Sequence, residues 1–414
     1  MSEAHLLQAP IVPTVSRSIG VGLSSDADVR DLAEQFCGEL PHKQPPYASR
    51  NWGGVLHSLC SYQGKLKPSI AHFLLKWFTR PGDVVLDPMS GVGTIPLEAR
   101  RQNRVAVAGD LSELAVIVSR AKLERFSVEG VGQLVRSLES SIGSSVLSLD
   151  VLRREEHADF GLNGRIDEYF EERTLREILL ARRFFKNRVA GATPEESVLL
   201  TNLLHILHGN RPYALSRRSH PVTPLKPTGP YDYRSLIERL ETRLSRILDP
   251  LSELESEGTA YLSDFAGLPV GESSVDAVIT SPPFSNSLRF FTTNWMRLWL
   301  CGWGPEEFAD KPERFLERRQ RAAFETEYAG FLKDMRKVLR PGGLLVMHLG
   351  KTRNHDMASR IEQILPGCGY VHIHTGYESV ANGESHGLTD KGATVEHGFL
   401  FARASDDVQQ RSFN

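Results

Sequence analysis

Apolar residues follow two spacings along this chain, and each change of spacing marks an element. KPSIAHFLLKWF (67–78) places Ile70, Phe73, Leu74 and Trp77 on one stripe at helical spacing, and RPGD ends it. VVLD (84–87) is a short apolar run closed by a carboxylate; SGVGT then turns the chain, and TIPLEARRQN reads as a helix. VAVAGD (105–110) is a second such run, followed by a second helix, ELAVIVSRAKLERF. Strand, glycine-rich turn, helix, strand, helix predicts the opening of a parallel, doubly wound α/β sheet. The rhythm stops at about 126–257, where the residues favour helix, broken by the proline-rich RPYALSRRSHPVTPLKPTGPYDY (211–233). It resumes with TAYLSD (259–264), VDAVIT (275–280) and GGLLVMHLG (342–350), and YVHIHTGYES and HGFLFAR supply two late β-like stretches. The division expected is an irregular tail over 1–45, the first half of an α/β domain over 46–125, a mostly helical insertion over 126–257, the second half over 258–405, and a tail over 406–414. Within the first tail, DADVRDLAEQFCGEL has the spacing of a short helix.

Composition narrows this only a little. The 414 residues are 40% hydrophobic and 24% charged, as in an ordinary globular protein. No apolar run reaches the roughly eighteen residues of a membrane span, and the first residues lack the order of a signal peptide, so a cytoplasmic location is expected. Cys37, Cys60, Cys301 and Cys368 are scattered and form no CxxC pair, which argues against a disulfide framework or a zinc site. A net charge of −2 does not point to a protein coated with nucleic acid but is compatible with a local basic cleft.

Chemistry concentrates at the ends of the apolar runs. TSPPF (280–284) follows VDAVIT directly. An exocyclic amine on a base is a poor nucleophile because its lone pair is delocalised into the ring. Accepting hydrogen bonds from both N–H groups favours a pyramidal nitrogen with its lone pair aimed at a methyl donor. Ser281 offers a hydroxyl oxygen, Pro282 and Pro283 stiffen the turn so that a carbonyl can be held towards the amine, and Phe284 can stack on a flipped-out base. DPMSGVGT (87–94) sets a carboxylate before two glycines where a helix begins, which lets the backbone approach a ligand closely. Its order differs from the dinucleotide fingerprint, and Asp87 suits a cationic terminus better than a pyrophosphate. Asp110 ends the next run, where an acid reaches ribose hydroxyls, and Asp264 ends another, where it can accept from an adenine amine. Either acid alone reads more readily as a helix N-cap. The meaning lies in four strand ends carrying Asp87, Asp110, Asp264 and Ser281 together, since ligands in open α/β sheets bind beyond the carboxyl ends of strands.

DPMSGVGT followed by TSPPF resembles the DNA amino-methyltransferases, the family that makes N4-methylcytosine or N6-methyladenine. The resemblance covers roughly 60–125 and 258–350. It implies a Rossmann-like S-adenosylmethionine-dependent methyltransferase sheet, S-adenosylmethionine as cofactor, direct transfer that needs no metal, and double-stranded DNA as partner. It also implies roles. Asp87, Pro88, Met89, Ser90, Gly91, Gly93 and Thr94 form the cofactor loop, with Met89 where Phe is usual; Lys67 and Pro68 fit the lysine-proline pair near the methionine end; Asp110 and Leu111 fit the ribose position; and Asp264 and Phe265 fit the adenine position. SPPF resembles the SPPY form of the catalytic motif, which goes mainly with cytosine N4, and Phe284 replaces Tyr. The stretches HGNRPYALSRRSHPVTPLKPTGP and SPPFSNSLRFFTTNWMRLWL are similar to uncharacterised bacterial DNA methylases of the SPPY type. A restriction-modification setting with a cognate endonuclease follows from the family as a candidate, not from the residues.

The long insertion is atypical of that family, yet it holds the strongest nucleic-acid candidate. Arg211, Arg217, Arg218, His220 and Lys226 crowd a proline-rich loop with Tyr213 and no acid between 211 and 231. The basic run Lys311 to Arg321 is interrupted by glutamates and reads as a solvated helix face, with 285–335 as the alternative recognition region. His372 and His374, at strand spacing, read as structural. No cysteine follows a proline, which disfavours C5-cytosine chemistry with its cysteine nucleophile. The rivals are adenine N6 in DNA, guanine N2 in transfer RNA, and a binding protein without catalysis.

Overall fold

The computed structural model describes residues 25–49, 52–62, 64–254, 256–284, 290–380 and 394–406. Seven strands form one sheet: β1 (Val84–Asp87), β2 (Val105–Asp110), β3 (Gly258–Leu262), β4 (Val275–Thr280), β5 (Leu339–Lys351), β6 (Tyr370–Ser379) and β7 (Glu396–Ala404). Their order is β3-β2-β1-β4-β5-β7-β6. The first five pair in parallel, and β7 runs antiparallel between β5 and β6. β1 has all four side chains buried, which is why VVLD reads as a continuous apolar run rather than an alternating one. The chain leaves β1 towards β2 and β3, then returns to the other side of β1 at β4. The crevice between the carboxyl ends of β1 and β4 is therefore the point where the winding reverses.

Helices cover both faces. One face packs on Asp26–Glu39 and Pro68–Phe78, through residues such as Phe36, Leu74 and Phe78 against Val85, Ala277 and Phe401. The other packs on Leu316–Val338 and Met357–Ile364, through Phe331, Leu332 and Ile361 against Val278 and Leu345. Asp26–Glu39 is the helix expected from the spacing of DADVRDLAEQFCGEL within the otherwise irregular tail. It is a helix of 14 residues because Ser25 and Asp28 form a reciprocal capping box and Val29, Ala33 and Phe36 bury one stripe. The six α-helices between Val128 and Ser252 share a core with helix Glu113–Leu123 and with Phe290–Leu300, the helix that follows the SPPF turn. Trp295, Trp299 and Trp303 lie fully inside that core, so it continues into the helix that follows β4 rather than standing apart from the sheet-bearing part of the chain. No helix among the described residues is long and apolar enough to cross a membrane. The region 407–414 and the serine-asparagine stretch after Phe284 lie outside the described residues.

Candidate active site at the carboxyl end of the sheet

A cavity of about 370 Å³ opens at the winding reversal. Asp87 to Val92, Thr94, Asp110, Leu111, Asp264, Phe265 and Ser281 to Phe284 all line it. The residues read from four separate strand ends thus meet in one place. Asp87 closes β1 and Thr280 closes the adjacent β4, and the Thr280 hydroxyl donates to Asp87 Oδ1 at 2.7 Å. That bond ties the glycine loop to the SPPF turn.

The loop is shaped by its glycines. Gly91 and Gly93 have φ of 51° and 67°, and a Cβ on Gly93 would sit 2.8 Å from Ser119 Oγ. The Gly91 amide donates to Asp110 Oδ2 at 2.9 Å, the Ser119 hydroxyl donates to the Gly91 carbonyl at 3.1 Å, and the buried Lys122 ammonium donates to the Val92 carbonyl. Asp110 also accepts from the Ser112 amide at 2.9 Å. Its carboxylate is therefore tied to the glycine loop through Oδ2 and to the start of the following helix through Oδ1, at the wall of the cavity.

Electrostatics fit a cationic guest. Burial pushes the Asp87 carboxyl up to about 7, against the opposing hydrogen bonds from Thr280 and Met89, and the charge of Asp110 adds to the rise. Burial likewise pushes Asp110 up to about 6, against the amides of Ser112 and Gly91. The buried Ser90 hydroxyl has no hydrogen-bond partner. Two carboxyls held above their usual range, an unpartnered hydroxyl and a loop backbone left bare by glycine suit a ligand that brings both positive charge and polar hydrogens.

Asp264 does not end β3, which stops at Leu262. It caps the short turn Phe265–Gly267 through the Ala266 amide at 3.2 Å and pairs with Arg319 Nη1 at 2.9 Å. The Arg319 guanidinium in turn lies over the Phe265 ring at 5.5 Å. Lys67 and Pro68 are absent from the cavity lining: the Lys67 ammonium donates to the His42 carbonyl at 2.8 Å, and Pro68 heads helix Pro68–Phe78. The cavity also carries residues that the sequence pattern did not single out. Tyr62 stands 3.6 Å from where a Gly91 Cβ would be. Glu317, 5% exposed, is pushed up to about 7 by burial and keeps one oxygen without a hydrogen-bond partner.

In the SPPF turn, Gln320 donates to the Pro283 carbonyl at 3.0 Å. The Phe284 ring is packed over His348 and His397, with centroids 5.6 Å away in each case, and against Gly350, where a Cβ would meet it at 2.6 Å. The ring is therefore anchored on β5 with one side towards the cavity. Ser281 Oγ lies 3.1 Å from Nδ1 of His348, a buried residue on β5. Among the described residues, His348, Glu378 and His397 are the group whose potential metal-binding atoms lie within 4.8 Å of one another. His372 and His374 are split by a register shift, and His372 Nε2 sits 2.8 Å from Thr375 Oγ1.

The basic loop divides in two. Arg217 donates to the Gly229 carbonyl at 2.6 and 2.8 Å and to the Glu168 carbonyl at 3.0 Å, and lies 3.9 Å over the Tyr231 ring. It organises the loop and has little left for phosphate. Tyr213 stacks on His205 at 5.2 Å. Arg211, Arg218, His220 and Lys226 are exposed.

Residues 58–135 match the family model described as UPF0020, RMKL-like, methyltransferase domain. The match takes in β1, β2 and the glycine loop between them. Over 117 residues the chain is 22% identical to a Type II methyltransferase, M.MjaII, of Methanocaldococcus jannaschii, covering 28% of this chain and 19% of that protein. The chain thus spans about a fifth of the length of the curated relative it matches. Solved structures that are similar include TrmN from Thermus thermophilus (15% identity, TM-score 0.33, 84% of this chain and 51% of that one). Another is an S-adenosylmethionine-dependent methyltransferase from Methanosarcina mazei (9% identity, TM-score 0.33, 81% and 98%). The strand order, five parallel strands with β7 antiparallel between β5 and β6, is that of a Rossmann-like α/β sheet, and the matched segment carries its first two strands and the glycine loop.

Proposed function

We propose that this chain transfers a methyl group to an exocyclic amine of a nucleic-acid base, with cytosine N4 in DNA as the preferred target. The observation that carries the reading is the single cavity shared by the Asp87–Asp110 loop and the Ser281–Phe284 turn, bridged by the Thr280–Asp87 hydrogen bond. The similarity to a Type II methyltransferase supports a nucleic-acid substrate.

S-adenosylmethionine, when bound, supplies a methyl group on a cationic sulfur. The protein's part is to hold and orient. Asp87 and the bare loop backbone take the cationic methionine end, Asp110 accepts from the ribose hydroxyls, and Asp264 and Phe265 flank the adenine. Ser281 Oγ and the Pro282 carbonyl accept from the two hydrogens of the amine. The Pro283 carbonyl already accepts one hydrogen bond, from Gln320, which makes the Pro282 carbonyl the preferred acceptor. The inner side of Phe284 packs on β5, and its other side offers a face to the base. Positioning and exclusion of water supply most of the rate. Exposed Arg211, Arg218, His220 and Lys226 contact the phosphate backbone. Serine at the position where adenine enzymes of the resembled family carry aspartate is the reason for preferring cytosine. Incubating the protein with methyl-labelled cofactor and either duplex DNA or total transfer RNA tests the reading. Label in DNA is expected; label in transfer RNA alone moves the substrate to RNA, and label in neither removes the reading.

A further inference from the structure

A serine hydroxyl at the head of the catalytic turn poses a problem that an aspartate would not. As the new N–C bond forms, the attacking nitrogen becomes cationic and must lose a proton. An aspartate can keep that proton, whereas a serine that accepts one must release its own. What lies behind Ser281 therefore matters.

Behind it is His348, 4% exposed, whose Nδ1 is 3.1 Å from Ser281 Oγ and whose Nε2 is buried without a hydrogen-bond partner. The His397 ring stands 4.5 Å from the His348 ring, and Glu378 lies beyond it on β6. Glu378 is within 3.2 Å of His397 Nδ1, 2.7 Å of His42 Nε2 and 3.0 Å of the Lys43 ammonium. The groups facing His348 are thus Ser281 from the end of β4, His397 from β7, Glu378 from β6, and His42 and Lys43 from the turn Pro41–Lys43. No other part of the mechanism uses this row, in which His348, Glu378 and His42 are buried, His397 is half-buried and Lys43 is exposed.

Resting on the amino-methyltransferase reading, we infer that His348 is a positioning residue and proton acceptor for the transfer, acting through Ser281. Its Nδ1 accepts the Ser281 hydroxyl proton, which leaves the Oγ lone pairs to the substrate amine. The step balances. The N–CH₃ bond forms as the S–CH₃ bond of the donor breaks, and the positive charge moves from sulfur to nitrogen. The nitrogen sheds one proton to Ser281 Oγ, and Ser281 passes its own to His348 Nδ1. Ser281 ends neutral and His348 ends as imidazolium, close to the Glu378 carboxylate.

The surroundings suit both ends of that step. Burial, then His397, hold the His348 pKa well below the ordinary value of 6.5, with Glu378 opposing and His42 adding. His348 is therefore neutral at rest and able to accept. Burial alone would raise Glu378, but hydrogen bonds from His397 and His42 hold it well below the usual carboxylate range, so its negative charge persists. The acid limb of the pH profile should accordingly lie below 6.5, because a protonated His348 cannot accept from Ser281.

Two measurements test the inference. Long-range ¹⁵N NMR on the wild-type protein should find His348 neutral with its proton on Nε2, and Ser281→Ala should move the Nδ1 resonance; neither needs a substrate. A proton on Nδ1 overturns the inference, as does stoichiometric zinc bound by His348. The second measurement is single-turnover methyl transfer to duplex DNA by His348→Asn, whose Oδ1 can accept from Ser281 but cannot take a proton. At S-adenosylmethionine concentrations that saturate the protein at every pH, we expect the rate to fall roughly a hundredfold and the acid limb to disappear, with calorimetric cofactor affinity within about threefold of wild type. A rate within about threefold of wild type overturns the inference while leaving the function intact. Wild-type protein that methylates neither DNA nor transfer RNA instead removes the function on which it rests. Should His348→Asn not fold, the wild-type tautomer and its response to Ser281→Ala decide.

Discussion

Burial holds the Asp87 carboxyl at about 7, so near neutrality about half of the ligand-free molecules carry a proton there. Because this value lies above the unfolded one of 3.8, the ligand-free fold is favoured on the acid side and loses stability as pH rises through about 7. A cation bound against Asp87 favours the ionised form, so binding below neutrality must expel a proton and weakens as pH falls. From about pH 7 to about pH 5.5 this linkage lowers cofactor affinity roughly 15-fold, or about 1.6 kcal/mol. Asp110, held at about 6, adds up to about fourfold over the same window if it is linked too. The α-amino group of the cofactor, with a pKa of about 7.7–8.0, stays protonated throughout. In Asp87→Asn the side-chain oxygen can still accept from Thr280 and Met89, so the turn should persist. Affinity at neutral pH should then fall by about 1.5–3 kcal/mol, and only the shallow contribution of Asp110 should remain. Calorimetric titration across this range, in buffers of different ionisation enthalpy, counts the released protons directly. Parallel loss of affinity in wild type and Asp87→Asn would refute the reasoning, and so would a flat wild-type profile.

Other outcomes follow from the same geometry. Gly93→Ala forces a Cβ into a left-handed backbone position and to within 2.8 Å of Ser119 Oγ. It should cost about 1–3 kcal/mol in denaturant unfolding and weaken cofactor binding, with Ser119→Ala restoring only part of the loss. Replacing Arg211, Arg218 and Lys226 together by alanine should lower DNA affinity and reduce the salt slope by about one unit per lost phosphate contact, as read by fluorescence anisotropy, without changing cofactor affinity. Arg217→Ala should instead loosen the loop itself, detectable as faster amide exchange around Gly229, because its guanidinium holds loop carbonyls.

Much of the fold is legible in the chain because a parallel strand buried on both faces writes itself as a continuous apolar run. VVLD, VAVAGD and VDAVIT are β1, β2 and β4 with the same bounds. The carboxylates and the serine are legible for the same reason: a polar residue that closes such a run must face a loop or a ligand. Side-chain partnerships across the sheet are harder to read. His348 looks like one polar residue in an apolar strand, and nothing local says that β4 brings Ser281 to it or that β6 and β7 bring Glu378 and His397 behind it. Glu317 sits in a run of alternating charge that reads as solvated, yet its helix turns it into the cavity. Arg217 and Arg218 are adjacent and chemically identical in the sequence; only the backbone path around Gly229 distinguishes the guanidinium that holds carbonyls from the one that is exposed. Asp264 reads in the sequence as a cap or as a ligand acceptor; it caps the turn Phe265–Gly267, and that turn places it in the cavity wall.

The most direct test of the account is mass spectrometry of nucleosides from duplex DNA treated with S-adenosylmethionine and either the wild-type protein or Ser281→Ala. The account predicts N4-methylcytosine with the wild type and little or none with Ser281→Ala, whose cofactor affinity should stay within about tenfold because its hydrogen bond strengthens only in the transition state. N6-methyladenine would change the base and keep the enzyme class. An equal yield from both proteins, or 5-methylcytosine in place of an amine product, would contradict the account.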